Sequence, residues 1–152
     1  MKKSVLAIDL GTKSGWAARD KTGAISSGSY NCKPSSSVNH GQKYIAFANF
    51  YQEKISQLKP SVVYFEQVCR HAGYMAAHAY GAYLGITQMV CSHSGIICVG
   101  LGVTEIKRAM TGKGNAKKEE IIQVARDLGF DPADDNEADA LAILRLALFK
   151  ED

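Results

Sequence analysis

The sequence lacks any apolar run approaching the ~20 residues that a membrane-spanning helix needs. It also does not open on the regions of a signal peptide, because Met1 to Lys3 lead directly into a strand-like segment. We therefore expect an unprocessed, soluble, cytoplasmic protein with no membrane partner.

The cysteines lack the pattern of a zinc site or of a disulfide framework. The four of them form no C-x-x-C pair, and Cys91, His93 and Cys98 do not have the spacing of a common zinc finger. A chain of 152 residues with 46% hydrophobic content can bury a full core without disulfides. We expect a single domain over residues 1–152 in a reducing compartment, with Cys91 and Cys98 as buried structural thiols.

A large net charge is also absent, since the formal charge is +3, and this value alone does not identify a nucleic-acid binder. The distribution of charge is more informative, because the segment 106–118 contains five cations and no acid. These cations are Lys107, Arg108, Lys113, Lys117 and Lys118. Such a cluster by itself is most often a solvated surface, so its interpretation depends on the residues around it.

Three carboxylates stand at or beside apolar runs, where an ionised group is costly unless a positive partner meets it. Asp9 closes the apolar run 4–8, Glu66 closes the run 61–65, and Asp139 lies a turn inside an apolar helix. A metal ion is the simplest partner for all three. Because carboxylates are hard oxygen ligands, Mg²⁺ or Mn²⁺ would suit them.

Hydrophobic periodicity and turn residues predict an α/β fold that begins with a three-stranded meander. The predicted elements are strands at 4–9, 15–19 and 24–30, a serine-rich loop at 33–40, a helix at 44–58, a strand at 61–66, a helix at 75–90, a strand at 96–99 and helices from residue 104 onward. Because a helix connects the strands ending at Asp9 and Glu66, we expect these strands to be parallel. Their carboxyl ends, and hence both acids, should then meet at the edge where open α/β sheets bind ligands.

Asp139 has two further oxygen-bearing neighbours on its own helix. Asp135 at i−4 and Asn136 at i−3 share its face, so that one turn can offer two oxygen ligands together.

Four fragments, in this order, resemble the RuvC-type Holliday junction resolvases, particularly their phage-type relatives. They are Asp-Leu-Gly-Thr-Lys-Ser-Gly-Trp-Ala from Asp9, Phe-Glu-Gln-Val from Phe65, Thr-Gly-Lys-Gly-Asn-Ala-Lys-Lys-Glu-Glu-Ile from Thr111 and Glu-Ala-Asp-Ala-Leu-Ala-Ile from Glu137. The resemblance implies a ribonuclease H-like fold, a five-stranded mixed sheet flanked by helices, in a homodimer. It implies a crossover junction endodeoxyribonuclease that acts in recombination and repair, in a bacterial or phage-infected cell.

The same resemblance implies a ligand set and a reaction. Asp9, Glu66 and Asp139 would bind two Mg²⁺ ions, for which Mn²⁺ would substitute, and water would cut the phosphodiester to leave 5′-phosphate and 3′-hydroxyl ends. Where the family has Asp or His three residues before the last Asp, this chain has Asn136. Either Asp135 or Asn136 is then the fourth ligand, and we favour Asp135, which we also count among the catalytic residues.

The basic segment acquires a role through this resemblance. Lys107 and Lys118 align with lysines that the family places near the scissile phosphate; Lys118 is the better match and is assigned to catalysis, and the other cations of the segment to DNA binding. The aromatic wedge of the bacterial enzymes is missing, since Cys69, Arg70 and His71 occupy that place. We expect Arg70 and His71 to contact branched DNA instead.

Other readings remain open at this point. The Asp-Leu-Gly-Thr turn also opens sugar kinases and actin-like ATPases, but those proteins need a second lobe for which this chain is too short. A junction-binding protein without cleavage, or a nuclease for flaps, forks and other branches, would carry similar motifs. The small residues of the helix at 75–90, such as Gly81 and Gly85, indicate either the dimer contact or close packing on its own sheet.

Overall fold

A computed structural model describes residues 1–34 and 39–152. Residues 35–38, the centre of the predicted serine-rich loop, lie outside the described residues, so that prediction is not tested there. The described strands are β1 (Val5–Ile8), β2 (Lys13–Arg19), β3 (Ile25–Asn31), β4 (Val62–Gln67) and β5 (Ile97–Gly102). The described helices are α1 (Gln42–Leu58), α2 (Tyr74–His93), α3 (Val103–Thr111), α4 (Lys118–Asp127) and α5 (Asp135–Glu151).

The five strands form one mixed sheet in the order β3-β2-β1-β4-β5. The meander β1-β2-β3 is antiparallel, whereas β4 pairs in parallel with both β1 and β5. The parallel pairing of the first apolar strand with the strand at Glu66 follows from the helical connection through α1. The predicted fold class, an α/β fold with a five-stranded mixed sheet flanked by helices, is confirmed.

Helices cover both faces of the sheet, and the alternation of side chains along β1 shows how. Val5 and Ala7 pack in the core on the side of α3, α4 and α5, while Leu6 and Ile8 pack on the side of α1 and α2. All four side chains are fully buried. A central strand covered on both faces accounts for the continuous apolar run in the sequence.

The helices end and begin where the sequence offers suitable residues. The apolar stripe of α1 buries Phe47, Tyr51 and Ile55, and the helix closes at Lys59, whose φ of 45° is left-handed, directly before Pro60. Helix α5 begins after Asp134, whose side chain accepts a hydrogen bond from the backbone N–H of Glu137 at 2.8 Å. As predicted, α5 is buried almost all round.

Helix α5 lies unusually close to β2, and a glycine permits this. A Cβ atom on Gly15 would stand 1.8 Å from the main-chain oxygen of Asn136. Only a residue without a side chain allows so close an approach of strand and helix. This contact carries the first turns of α5, with Asp139, towards the end of β1.

The four cysteines differ in their exposure. Of the two thiols predicted to be buried, Cys91 is buried and Cys98 is half-buried, while Cys32 is buried and Cys69 is exposed. Cys69 follows β4 in a loop beyond the core.

No helix in residues 1–34 and 39–152 has both the length and the apolar character needed to cross a membrane.

Candidate active site

The sheet register brings Asp9 and Glu66 together. Val5 pairs with Val62 and Ala7 with Tyr64, so continuing the parallel ladder by one step on the same face places Asp9 opposite Glu66. The residues that precede them on this face pack against α5. Both carboxylates are therefore expected on the side of the sheet that α5 covers.

Helix α5 adds the third carboxylate at this edge. Asp139 is half-buried and is flanked by the fully buried Ala138 and Ala140. The charges of Asp139 and Glu66 both raise the pKa of Asp9, and the charge of Glu66 raises that of Asp139. The three acids thus form one electrostatic group.

Burial is the main cause of the high proton affinity of this group. It raises the pKa of Asp9 well above its ordinary value, with Asp139, Glu66 and Asp135 adding repulsion. Burial and the neighbouring Glu66 raise the pKa of Asp139 to about 6. Burial also raises the pKa of Glu66, an effect that Lys107 opposes. Each charge is costly here because burial removes part of its hydration, and for Asp9 and Asp139 like charges are also close.

Asp135 differs from the other acids because it already has a cationic partner. Lys118 Nζ donates to Asp135 Oδ2 at 2.8 Å. This bond lowers the pKa of Asp135 and raises that of Lys118. Lys118 also acts on the deeper acids, since its charge partly offsets the raised pKa values of Asp9 and Asp139.

A pocket of about 600 Å³ joins the acidic group to the basic segment. Glu66 and Asp139 line it together with Lys107, Lys117 and Lys118. Asn115, from the glycine-rich loop between α3 and α4, also lines this pocket. The structure therefore places three of the five predicted DNA-binding cations of this segment beside two of the predicted metal ligands.

The remaining predicted DNA contacts do not line this pocket. Arg108 is exposed, and Lys113 is exposed and pairs with Glu120 at 3.1 Å. Arg70 is exposed in the loop after β4, while the ring of His71 packs on Tyr80 with 5.0 Å between centroids. These four residues do not line the pocket.

Sequence reasoning missed the residues that hold the two strand ends. The hydroxyl of Tyr80 donates to the main-chain oxygen of Glu66 at 2.9 Å and accepts from the N–H of Val68 at 3.1 Å. Ser14 donates to the main-chain oxygen of Asp9 at 2.6 Å. The sequence contains a signal for Ser14, because this serine is a polar residue in a strand whose next four residues, 15–18, are apolar or small.

The donor chemistry of the site suits a hard divalent cation. Carboxylate oxygens are what Mg²⁺ and Mn²⁺ prefer, and a cation would offset both the burial and the repulsion that raise the pKa values of Asp9 and Asp139. In the side-chain positions of residues 1–34 and 39–152, however, no three His, Cys, Asp or Glu residues form a ready-made metal site. The assignment of the ligands is therefore a prediction.

The raised pKa of Asp139 predicts how stability depends on pH without metal. Its folded value of about 6 lies above the ordinary 3.8, so the folded state binds this proton more tightly than the unfolded state. The charged form thus destabilises the fold above pH 6, by roughly 3 kcal/mol, and this penalty fades as the pH falls towards 4. Asp139→Asn should raise the free energy of unfolding at a pH of about 7.5, with a smaller gain at about 4.5.

Urea unfolding in EDTA at the two pH values measures this effect. Asp131→Asn is the matched control, because Asp131 is exposed in the loop before α5. An Asp139→Asn variant no more stable than the unmodified chain at the higher pH would contradict the electrostatic account.

Comparison with known proteins finds relatives in one group. No protein-family model matches the chain. The crossover junction endodeoxyribonuclease RuvC of Moorella thermoacetica is 30% identical over 95 residues, which are 60% of this chain and 57% of that protein. The RuvC of an Anaeromyxobacter species is 28% identical over 142 residues, 91% of this chain and 69% of that protein. The chain spans about half the length of most curated relatives that it matches.

The solved structures extend the similarity to the whole fold. The Thermus thermophilus RuvC, solved in complex with a Holliday junction substrate, superposes with a TM-score of 0.81 at 24% sequence identity. The superposition covers 97% of this chain and 94% of that one. The chain therefore has the ribonuclease H-like fold of the RuvC-type resolvases and is similar to them in sequence along most of its length.

Proposed function

We propose that this chain is a metal-dependent endonuclease that resolves four-way DNA junctions by two symmetric cuts. The observation that carries the proposal is the convergence of Asp9, Glu66 and Asp139 beside a pocket that Lys107, Lys117 and Lys118 also line. Curated proteins that resemble the chain are crossover junction endodeoxyribonucleases, and a similar fold has been solved with a Holliday junction. Such an activity belongs to DNA recombination and repair in the cytoplasm of a bacterial or phage-infected cell.

Divalent ions, when bound, would supply an activated water and stabilise the leaving oxygen of the phosphodiester. Asp9 and Glu66 would hold them from the two parallel strand ends, and Asp139 would do so from α5. Because Asp9 and Asp139 favour protonation, protons compete with the metal for them, and metal affinity should fall as the pH drops. The cleaved strand would carry 5′-phosphate and 3′-hydroxyl ends.

The fourth ligand is Asp135 in this proposal, rather than Asn136. Asp135 lies on the same face of α5 as Asp139, and its charge contributes to the raised pKa of both Asp9 and Asp139. Its pKa is lowered by Lys118, so it is ionised when a cation arrives. Asn136 is half-buried with its main chain pressed against Gly15, which restricts its movement.

The lysines that line the pocket would bind the DNA backbone. Lys107 and Lys118 lie near the acids and would hold the scissile phosphate and offset charge that develops in the transition state. Lys118 would leave Asp135 and bind the phosphate, because the metal ion would then bind that carboxylate. Lys117, at the pocket rim, and the exposed Arg108, Lys113 and Arg70 would contact flanking phosphates.

Two symmetric cuts require two active sites in fixed relation, which a twofold dimer provides. Helix α2 offers a face for this contact, since residues spaced by three and four along it are exposed. They are Tyr74, His78, Gly81, Gly85 and Met89. A Cβ on either glycine would meet nothing within 4 Å, so a second helix can approach this face closely.

A broader nuclease for flaps and forks, and a junction-binding protein without cleavage, are the competing functions. Both share the pocket, and they differ in what happens to a labelled four-way junction in Mg²⁺. Paired symmetric nicks support the resolvase. Binding without nicks supports the second rival, and equal cutting of flaps and forks supports the first.

Asp139→Asn should abolish cleavage of the labelled junction while leaving junction binding at least as tight. The change removes one charge from the metal ligands and reduces repulsion of the DNA, and the buried position accepts an isosteric amide. Strand cleavage on denaturing gels and gel-shift titration measure the two properties. Asp131→Asn should cleave normally, and an Asp139→Asn enzyme with unaltered cleavage would rule out the ligand assignment.

Lys118→Ala should slow cleavage and lower the salt dependence of junction binding. Loss of one phosphate contact reduces the slope of log K against log salt by about 0.9. Lys21→Ala is the matched control, because Lys21 is exposed in the β2–β3 turn at the opposite end of the sheet. Equal slopes for the two variants would show that Lys118 makes no phosphate contact.

Gly85→Arg should convert a dimer to a monomer, because the new side chain occupies the open space on α2. Sedimentation velocity over a range of concentrations measures the mass in solution. Asn49→Arg, at an exposed position of α1, should leave the dimer intact. If Gly85→Arg remains dimeric, the α2 face is not the dimer contact.

A further inference from the structure

Two hydroxyl groups that hydrogen-bond to each other, those of Ser14 and Tyr51, hold the turn that carries Asp9. The N–H of Asp9 donates to the main-chain oxygen of Gly15 at 2.9 Å, which closes the turn between β1 and β2. The hydroxyl of Ser14 donates to the main-chain oxygen of Asp9 at 2.6 Å. Both main-chain polar groups of Asp9 are therefore fixed by the first residues of β2.

Ser14 is in turn fixed by Tyr51, which reaches across from α1. Their hydroxyls are hydrogen-bonded, and Ser14 and Tyr51 are 0% and 1% exposed. Because Ser14 has one proton and gives it to Asp9, its oxygen accepts from the phenol of Tyr51, which also lies within donating distance of the main-chain oxygen of Gly15, at 3.3 Å. Burial raises the pKa of Tyr51, so that the phenol keeps its proton. The order of donation thus runs from Tyr51 to Ser14 to Asp9.

The same turn is also hydrogen-bonded to the core at Thr12. The hydroxyls of Thr12 and Tyr83 are hydrogen-bonded at 2.7 Å, and Tyr83 is 1% exposed. The main-chain oxygen of Thr12 accepts from the N–H and the thiol of Cys32. With residues 12 and 14 both tied to the core, the Asp9 main chain has little freedom to rotate.

From this geometry we infer that Ser14 is a positioning residue, which with Tyr51 sets the direction in which Asp9 presents its carboxylate to a divalent cation. The inference rests on the proposed function, since it assigns Ser14 a role behind a proposed ligand. A hydroxyl with no access to water is costly to bury unless its bonds are made, and here its bonds go to Asp9 and Tyr51. Groups that orient a ligand typically change metal affinity about tenfold or more when removed.

The chain contains a matched control for a purely structural effect. Ser4 lies next to the first residue of β1, at the end away from Asp9, and is 1% exposed. Its hydroxyl donates to the main-chain oxygen of Leu58 at 3.3 Å. Ser4→Ala and Ser14→Ala therefore remove the same buried group from opposite ends of the sheet, and we expect both variants to lose thermal stability.

The test is a calorimetric titration of each full-length variant with Mn²⁺ alone, followed by junction cleavage across a range of Mg²⁺ concentrations. Ser14→Ala should bind Mn²⁺ about tenfold more weakly and need a correspondingly higher Mg²⁺ concentration for half-maximal cleavage. Ser4→Ala should retain the Mn²⁺ affinity of the unmodified chain. Tyr51→Phe, which keeps the ring, should shift the affinity in the same direction as Ser14→Ala but less.

The outcomes separate this inference from the proposed function. If Ser14→Ala and Tyr51→Phe bind Mn²⁺ as tightly as Ser4→Ala, while the unmodified chain binds Mn²⁺ and cuts junctions, the positioning role is wrong and the function stands. If Ser14→Ala does not fold, the Mn²⁺ affinity of Tyr51→Phe decides. An unmodified chain that neither binds Mn²⁺ nor cuts a junction overturns both.

Discussion

The burial of neighbouring carboxylates, to which their mutual repulsion adds, is the constraint on which the rest of this structure depends. The parallel register of β1 and β4 brings Asp9 opposite Glu66, and the close packing of α5 on Gly15 adds Asp139. Such a group stores unfavourable free energy, which protons or a divalent cation can relieve. The fold tolerates this cost because the surrounding sheet is covered by helices on both faces and supplies a large core.

The basic residues near the acids do not affect each acid equally. Lys118 bonds directly to Asp135, at the more exposed end of the acidic group, whereas Asp9 and Asp139 keep raised pKa values despite its charge. Asp9 and Asp139 thus still favour a positively charged partner, and lysines line the neighbouring pocket. This arrangement suits a site that must accept both a cation and a phosphate.

Hydroxyls bonded to the main chain supply the rigidity that such a site needs. Tyr80 holds the end of β4 through the main chain of Glu66, and Ser14 holds the turn after β1 through the main chain of Asp9. In each case the bond reaches the backbone of the acid and leaves its carboxylate free. Holding ligands by their main chains fixes their direction without competing for the oxygens that an ion would take.

The sequence by itself determined the element order, the parallel pairing of β1 with β4 and the proximity of Asp9 to Glu66, because each follows from local periodicity and a helical connection between the strands. The addition of Asp139 to this pair was implied only by the family resemblance, because it depends on how α5 packs on β2. Only the tertiary structure decided that Lys118 pairs with Asp135, that Arg70, His71, Arg108 and Lys113 do not line the pocket, and that Cys69 is exposed. It also revealed the contacts of Ser14 with Tyr51 and of Gly15 with α5. Those contacts join residues distant along the chain, and their geometry depends on how helices pack on the sheet, which no local pattern encodes.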